Sequence, residues 1–169
     1  MRDALIEDGF LPHEFVGSAT IENNTEALAS KITQELKLKI NWNKNNPNTF
    51  NVLREEISNL GILVMQNGVV GNNNHRILNV AEFRAFVLID QYVPLIFLNA
   101  RDSTNAKVFS LCHELVHVWL GVDELYNDNF TSNQIVNNSQ LEKFCNEVAA
   151  EMLLPLSSIQ STLEPQLDI

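Results

Sequence analysis

Apolar residues recur at helical spacing in four parts of the chain. The pattern predicts amphipathic helices over residues 24–38 and 49–60, the second ending at Gly61, and further helices over 104–120 and 140–153. A break rich in Asn and Pro separates the first two helices, and a loop rich in Asp, Asn and Ser separates the last two.

Three strands are predicted between these two pairs of helices. They cover residues 62–65, with a continuation through 69–70, and then 83–89 and 94–98, while residues 71–74 indicate a turn. The order of two helices, a small sheet and two helices indicates an α+β fold. We expect a mostly antiparallel three-stranded sheet packed against the helices.

The composition is that of one globular domain. The chain has 169 residues, of which 45% are apolar and 19% charged. Its first fifteen residues contain several acids and no long apolar stretch, so they do not indicate a signal peptide. Cys112 and Cys145 fall inside predicted helices and are interpreted as buried free thiols, and the alternative is a weak role beside a metal site. We therefore expect a cytoplasmic protein.

The formal net charge of −10 predicts an acidic surface that repels phosphate groups. Direct binding of nucleic acid by this segment is therefore not expected. Any role in DNA regulation would depend on a protein partner or on a separate domain.

Residues 113–117 carry the motif His-Glu-x-x-His inside a predicted helix. His113 and His117 lie one turn apart on one face and can reach the same zinc ion as neutral imidazoles. Glu114 is placed to take a proton from the attacking water. The alternative is an amphipathic helix with two ordinary histidines. The apolar flanks argue against it, because buried polar groups without a partner cost free energy.

The next predicted helix offers three acidic residues as the third ligand. Glu142 and Asn146 are four residues apart and share a face, which favours Glu142 as the ligand that completes a His₂Glu site. Asn146 is then placed to accept a hydrogen bond from a liganding histidine. Glu147 projects about 100° from Asn146, and Glu151 lies half a turn off the face of Glu142, so both are interpreted as facing solvent.

Four segments together resemble the ImmA/IrrE family of zinc-dependent peptidases, over about residues 42–155. They are residues 82–86 (EFRAF), 94–99 (PLIFLN), 109–117 (FSLCHELVH) and 142–155, which carries ExxCNxxAA and ends in LLP. The resemblance implies a gluzincin-like fold with the motif on its active-site helix and one zinc ion per chain. It implies His113, His117 and Glu142 as ligands and Glu114 as the base. It also implies cleavage of a helix-turn-helix repressor of phage, mobile-element or stress genes.

The chain departs from many relatives at two positions, where Val116 and Ala85 stand in place of Gly. Because Val116 precedes His117, we expect it to border the cleft and to narrow it. A residue that stabilises the oxyanion is also expected. The candidates are Tyr92, Tyr126, His75 and Arg76, and the sequence does not choose among them.

The expected organisation is an irregular lead-in over residues 1–22, a peptidase domain over 23–155 and a truncated C-terminal tail over 156–169. Some relatives carry an N-terminal helix-turn-helix, and this chain begins where such a domain would end, as expected of a piece of a longer protein.

Three functional hypotheses follow. The first is a regulatory zinc endopeptidase that cleaves a repressor. The second is a zinc-stabilised module that sequesters a regulator without efficient proteolysis. The third is a metal-free structural domain. Neither the oligomeric state nor the cleaved bond is predicted.

Overall fold

The computed structural model describes residues 1–70, 73–77, 79, 84–122 and 132–163 of the chain. Its helices are α1 (Arg2–Glu7), α2 (Thr25–Glu35), α3 (Thr49–Asn59), α4 (Thr104–Leu120), α5 (Ser132–Leu153) and α6 (Leu156–Leu163). Its strands are β1 (Leu63–Asn67), β2 (Val69–Val70), β3 (Asn73–Ile77), β4 (Ala85–Leu88) and β5 (Leu95–Asn99). The predicted α+β class, with a small three-stranded sheet packed against helices, is confirmed.

Helix α4 has the predicted bounds because both of its ends are capped. The Ser103 hydroxyl accepts a hydrogen bond from the backbone N–H of Ala106 at 3.2 Å. Gly121 follows the last turn in the left-handed conformation, at φ 67°. Helix α5 differs from its prediction, since it begins at Ser132 rather than at residue 140. A helix that has formed gains one backbone hydrogen bond for each residue added, so it can continue through residues whose own helix propensity is weak.

The three-stranded sheet has the order β1–β5–β4 and is mixed, which corrects the prediction of a mostly antiparallel sheet. Strand β5 pairs in parallel with β1, with Leu63 opposite Leu95 and Asn67 opposite Asn99, and it pairs antiparallel with β4. The parallel pair is possible because the chain between β1 and β5 is long enough to return to the same end of the sheet. A second, antiparallel sheet joins β2 and β3.

Two strand predictions change at the level of residues. Asn73 and Asn74, predicted in a turn, are the first residues of β3, and residues 71–72 lie outside the described part. Strand β4 begins at Ala85, while residue 83, the predicted start of that strand, is also outside the described part.

The predicted lead-in and tail both contain helix. Helix α1 occupies the start of the lead-in, and Val16 and Ala19 further along it are buried in the core. Helix α6 occupies residues 156–163 of the predicted tail, and residues 164–169 lie outside the described part. The lead-in is therefore packed on the domain, and the proposed domain limits at residues 23 and 155 stay predictions.

Helix α4 runs through the middle of the core. It contacts α3, α5 and the two strands β4 and β5. Its fully buried apolar residues are Leu111, Cys112, Leu115, Val116, Val118 and Trp119. Val87, Ile96 and Leu98 form the buried face of the sheet. Because neighbours on several sides fix α4, the side chains that it carries are held in defined positions.

In the part of the chain that the structure describes, no helix is both long enough and apolar enough to cross a membrane.

Replacing Ile96, which is fully buried in the central strand β5, by Ala should lower the free energy of unfolding by about 2–5 kcal/mol, because the change leaves a cavity. Leu63→Ala is the matched control, since Leu63 lies in the neighbouring strand and is 37% exposed. Urea unfolding followed by circular dichroism measures both variants. Equal losses of stability would contradict the assignment of the buried face.

Candidate metal centre

Helix α4 places two imidazoles on one face, one turn apart. His117 is buried and His113 is half-buried. Their Nε2 atoms lie 3.2 Å apart, and the rings are tilted at 56° to each other. A spacing of four residues on a helix brings side chains together in this way, so the pairing follows directly from the sequence.

Helix α5 packs against α4 and brings a carboxylate to the same point. Glu142 Oε2 lies 3.1 Å from His113 Nε2, and Glu142 Oε1 lies 3.2 Å from His117 Nε2. Among the described residues, these three side chains form a group that could hold a metal ion, with ligand atoms all within 4.8 Å of one another. The structure thus brings the three predicted ligands together.

The separations of the three ligand atoms fit a tetrahedral centre. A metal with bonds of about 2.0–2.1 Å to N and O would hold neighbouring ligand atoms about 3.3 Å apart in tetrahedral geometry. The observed separations of 3.1 and 3.2 Å are close to this value. Three protein ligands leave a fourth position for water or substrate.

Hydrogen bonds on the far side of each ring direct the Nε2 atoms toward this point. His113 Nδ1 donates to Asn146 Oδ1 at 3.0 Å, and His117 Nδ1 donates to the backbone carbonyl of Val122 at 3.1 Å. A neutral imidazole that donates through Nδ1 has its lone pair on Nε2. Two lone pairs and the Glu142 carboxylate therefore face one another, which is the arrangement of a cation site.

The electrostatics of His117 agree with this geometry. Burial by itself lowers the pKa of His117, but hydrogen bonds to Cys145 and Glu142, with the charge of nearby Glu114, outweigh burial and raise the pKa. Burial also raises the pKa of the Cys145 thiol, which is therefore neutral at neutral pH. The surroundings of His117 thus favour a positive charge between the three ligands.

The two other acidic residues of α5 lie away from this group. Glu147 is exposed, and its carboxylate is 3.8 Å from Lys143 Nζ. The sequence predicts that Glu151 faces solvent, but in the structure this side chain also caps the next helix. Its carboxylate accepts a hydrogen bond from the backbone N–H of Leu156, at 3.0 and 3.2 Å from its two oxygens, and so stabilises the first turn of α6.

A cleft of about 450 Å³ opens beside His113 and buried Glu114. The other described residues that line it are Arg84, Ala85, Ala106, Phe109 and Ser110. Arg84 is held there by an ion pair of 3.1 Å with Asp102, just before the start of α4. The size of the cleft is within the range of small-ligand sites, and most of its wall is apolar.

Two expectations about the cleft change. Val116 is fully buried in the core and is not among the described lining residues, because it projects about 100° away from His117 on the helix. Its side chain therefore does not narrow the cleft. Of the candidate oxyanion donors, Tyr92 and His75 are likewise not among the described lining residues. Tyr126 and the side chain of Arg76 lie outside the described part of the chain.

Two contacts of His117 are not predicted from the motif. The Val122 carbonyl is a backbone group, and the only sequence signal for its position is Gly121, a residue typical of the turn that ends a helix. Cys145 lies one turn after Glu142 and so on the same side of α5; the sequence favours an ordinary buried thiol there, and the contact with His117 agrees with the alternative of a role beside the metal site.

Comparison with protein families gives a match to the model of Peptidase_M78, described as the IrrE N-terminal-like domain, over residues 58–169. The matched region is more than half of the chain. It contains the three ligand side chains, Glu114 and the cleft, whereas α1, α2 and nearly all of α3 precede it. A comparison with curated protein sequences gives no significant match.

Glu142→Ala should strongly reduce the amount of divalent metal that the protein retains, because one of three ligands is lost. Glu147→Ala, which removes an exposed acid from the same helix, should retain about as much metal as the unmodified protein. Elemental analysis after incubation with metal and gel filtration measures the metal content per chain. Equal metal content in both variants would contradict the assignment of Glu142.

Proposed function

Because the chain belongs to the Peptidase_M78 family of IrrE N-terminal-like domains, we propose that it is a zinc-dependent endopeptidase. The observation that carries this proposal is the convergence of His113, His117 and Glu142 beside buried Glu114, at the edge of an open cleft. A structural metal site is usually closed by four protein ligands, whereas a catalytic site keeps one position open.

The donor set supports zinc as the metal. Two imidazole nitrogens and one carboxylate oxygen are the ligands of the His₂Glu class of catalytic zinc sites, and a site of oxygen ligands alone would be expected for magnesium or calcium. His113, His117 and Glu142 would hold the zinc ion, which would supply a Lewis acid next to the attacking water and the carbonyl of the scissile peptide bond.

Glu114 is the residue that moves the proton in this proposal. It follows the first ligand on α4, lines the cleft and is only 8% exposed. Its carboxylate takes a proton from the attacking water and passes it to the leaving amine. The negative charge of Glu114 also contributes to the raised pKa of His117, which supports a carboxylate close to the ligand group.

The cleft supports an extended peptide as the substrate. Strand β4 is at the edge of the three-stranded sheet among the described strands, and its first residue, Ala85, lines the cleft. An extended peptide can pair with such an edge through backbone hydrogen bonds. The apolar wall formed by Ala85, Ala106 and Phe109 then contacts an apolar side chain near the cleaved bond.

The proposed substrate is a helix-turn-helix repressor of phage, mobile-element or stress genes. The net charge of −10 supports a basic partner, and proteins that bind DNA carry basic surfaces. We place the reaction in the cytoplasm, where such repressors act and where the buried free thiols of Cys112 and Cys145 stay reduced.

Glu114→Gln should lower the rate of peptide cleavage by about 10²–10⁴-fold, because the amide cannot take a proton from water, and it should leave the zinc content unchanged. Cleavage of a peptide library, followed by mass spectrometry with the zinc-loaded protein, measures the rate and identifies the cut bonds. Glu147→Gln makes the same chemical change on the exposed side of α5 and should cleave like the unmodified protein.

Undiminished cleavage by Glu114→Gln would contradict the role of Glu114. If the unmodified protein holds zinc and binds a repressor but does not cut it, the protein is a sequestering module and not an endopeptidase.

A further inference from the structure

The orientation of His117 depends on a backbone group. Asn146 on α5 orients His113 through its side chain, but the Val122 carbonyl orients His117, at 3.1 Å from Nδ1. A carbonyl cannot change its position independently of the chain. The direction of the His117 ring is therefore set by the turn that follows α4.

Gly121 forms this turn. Its left-handed conformation, at φ 67°, reverses the chain, and its N–H donates to the Val118 carbonyl at 3.1 Å. The next N–H, of Val122, donates to the His117 carbonyl at 3.3 Å. Val122 thus folds back over His117, and its carbonyl orients the His117 side chain.

A segment of the N-terminal region, residues 13–19, is packed against this turn, and we call it the strap. Two of its N–H groups donate to the last turn of α4: that of Gly17 to the Val118 carbonyl at 3.1 Å and that of Ala19 to the Trp119 carbonyl at 2.9 Å. The strap thus gives the Trp119 carbonyl a partner from outside the helix, and it gives the Val118 carbonyl a second donor beside the Gly121 N–H.

Side chains hold the strap in place. Phe15 stacks on Trp119, with ring centroids 4.7 Å apart and an angle of 23° between the rings. His13 stacks on Phe15 and lies over Gly61, where a Cβ would come within 2.6 Å of the imidazole. Val16, between these contacts, is buried. The strap is therefore a fixed part of the core.

The closest approach joins the strap to the turn. A Cβ on Gly121 would lie 2.8 Å from Gly17 Cα, closer than side chains allow, and 3.3 Å from Gly17 N, so this approach of the two backbones requires glycine at position 121. Neither backbone segment can therefore move closer to the other without displacing it. The strap also lies before residue 58, where the match to the peptidase family begins.

From these contacts we propose that Gly121 and the strap are positioning elements of the metal site. They hold the Val122 carbonyl against His117 Nδ1 and thereby keep His117 Nε2 directed at the metal. This inference rests on the proposed function, since it assumes that the site holds zinc. The segment outside the family match thus contributes to zinc affinity without providing a ligand.

The test compares two Gly→Ala substitutions that place Ala at nearly the same positive φ. Gly121→Ala adds a Cβ that meets the strap, whereas at Gly9, with φ 79°, an added Cβ has no atom within 4 Å. We expect Gly121→Ala to raise the dissociation constant for zinc by about 10- to 100-fold, the range for loss of a group that orients a ligand. Gly9→Ala should stay within about twofold of the unmodified protein, since it does not touch the site.

Competition with a chromophoric zinc chelator measures the dissociation constant, at a temperature where circular dichroism shows each variant to be folded. Phe15→Ala, which removes the stacking on Trp119 and leaves the turn unaltered, is the second variant and should weaken zinc binding roughly 3- to 10-fold. It decides the question if Gly121→Ala does not fold. Ile32→Val, a core change outside the strap, controls for general loss of stability.

The outcomes are distinct. If Gly121→Ala and Phe15→Ala melt at lower temperature but bind zinc as tightly as the unmodified protein, the strap is only structural and the inference is wrong. If the unmodified protein binds no zinc, the proposed function fails first, and the inference fails with it. Weaker zinc binding in both variants, but not in Ile32→Val, supports the inference.

Discussion

Three electron-pair donors face one point inside this fold, and the rest of the structure has to keep them there. Two imidazole nitrogens and a carboxylate at 3.1–3.2 Å attract one another only when a proton or a metal ion is shared between them. Such an arrangement persists only where packing leaves the side chains no other position. The burial of α4 on several sides and the caps at both of its ends meet this requirement.

The site also joins two helices that are separate in sequence. His113 and His117 belong to α4, while Glu142 and Asn146 belong to α5, so the same four side chains form both the candidate metal site and part of the contact between the helices. A metal ion bound there acts as a cross-link, and its binding free energy adds to the stability of the packed helices. Docking of α5 and metal binding are for this reason parts of one equilibrium.

The features that were predictable from the sequence are those governed by local periodicity. The bounds of α4 and the choice of Glu142 over Glu147 both follow from positions on a helix, which spacing determines. The direction of β1 relative to β5 was not predictable, because it depends on the path of the long connection and not on either strand. The early start of α5 was missed because residues 132–139 include Ser and several Asn, whose weak helix propensity favours a loop in a sequence-based prediction.

Backbone contributions to the site have even less signal in the sequence. The Val122 carbonyl would have the same chemistry in any residue, and only the glycine before it indicates a turn. Likewise, the role of the strap depends on contacts between residues far apart in the chain, which no short motif records.

The contact between Gly17 and Gly121 also constrains how the sequence can diverge. The two glycines do not have the same space for a side chain. A Cβ at residue 17 would lie 3.9 Å from Gly121 Cα, whereas a Cβ at residue 121 would lie 2.8 Å from Gly17 Cα. Among relatives that keep the strap, position 17 can therefore accept Asn, which tolerates positive φ, while position 121 is restricted to glycine. A chain with a side chain at position 121 has to lead its N-terminal segment along another path, so that one glycine determines whether this segment can reach the end of α4.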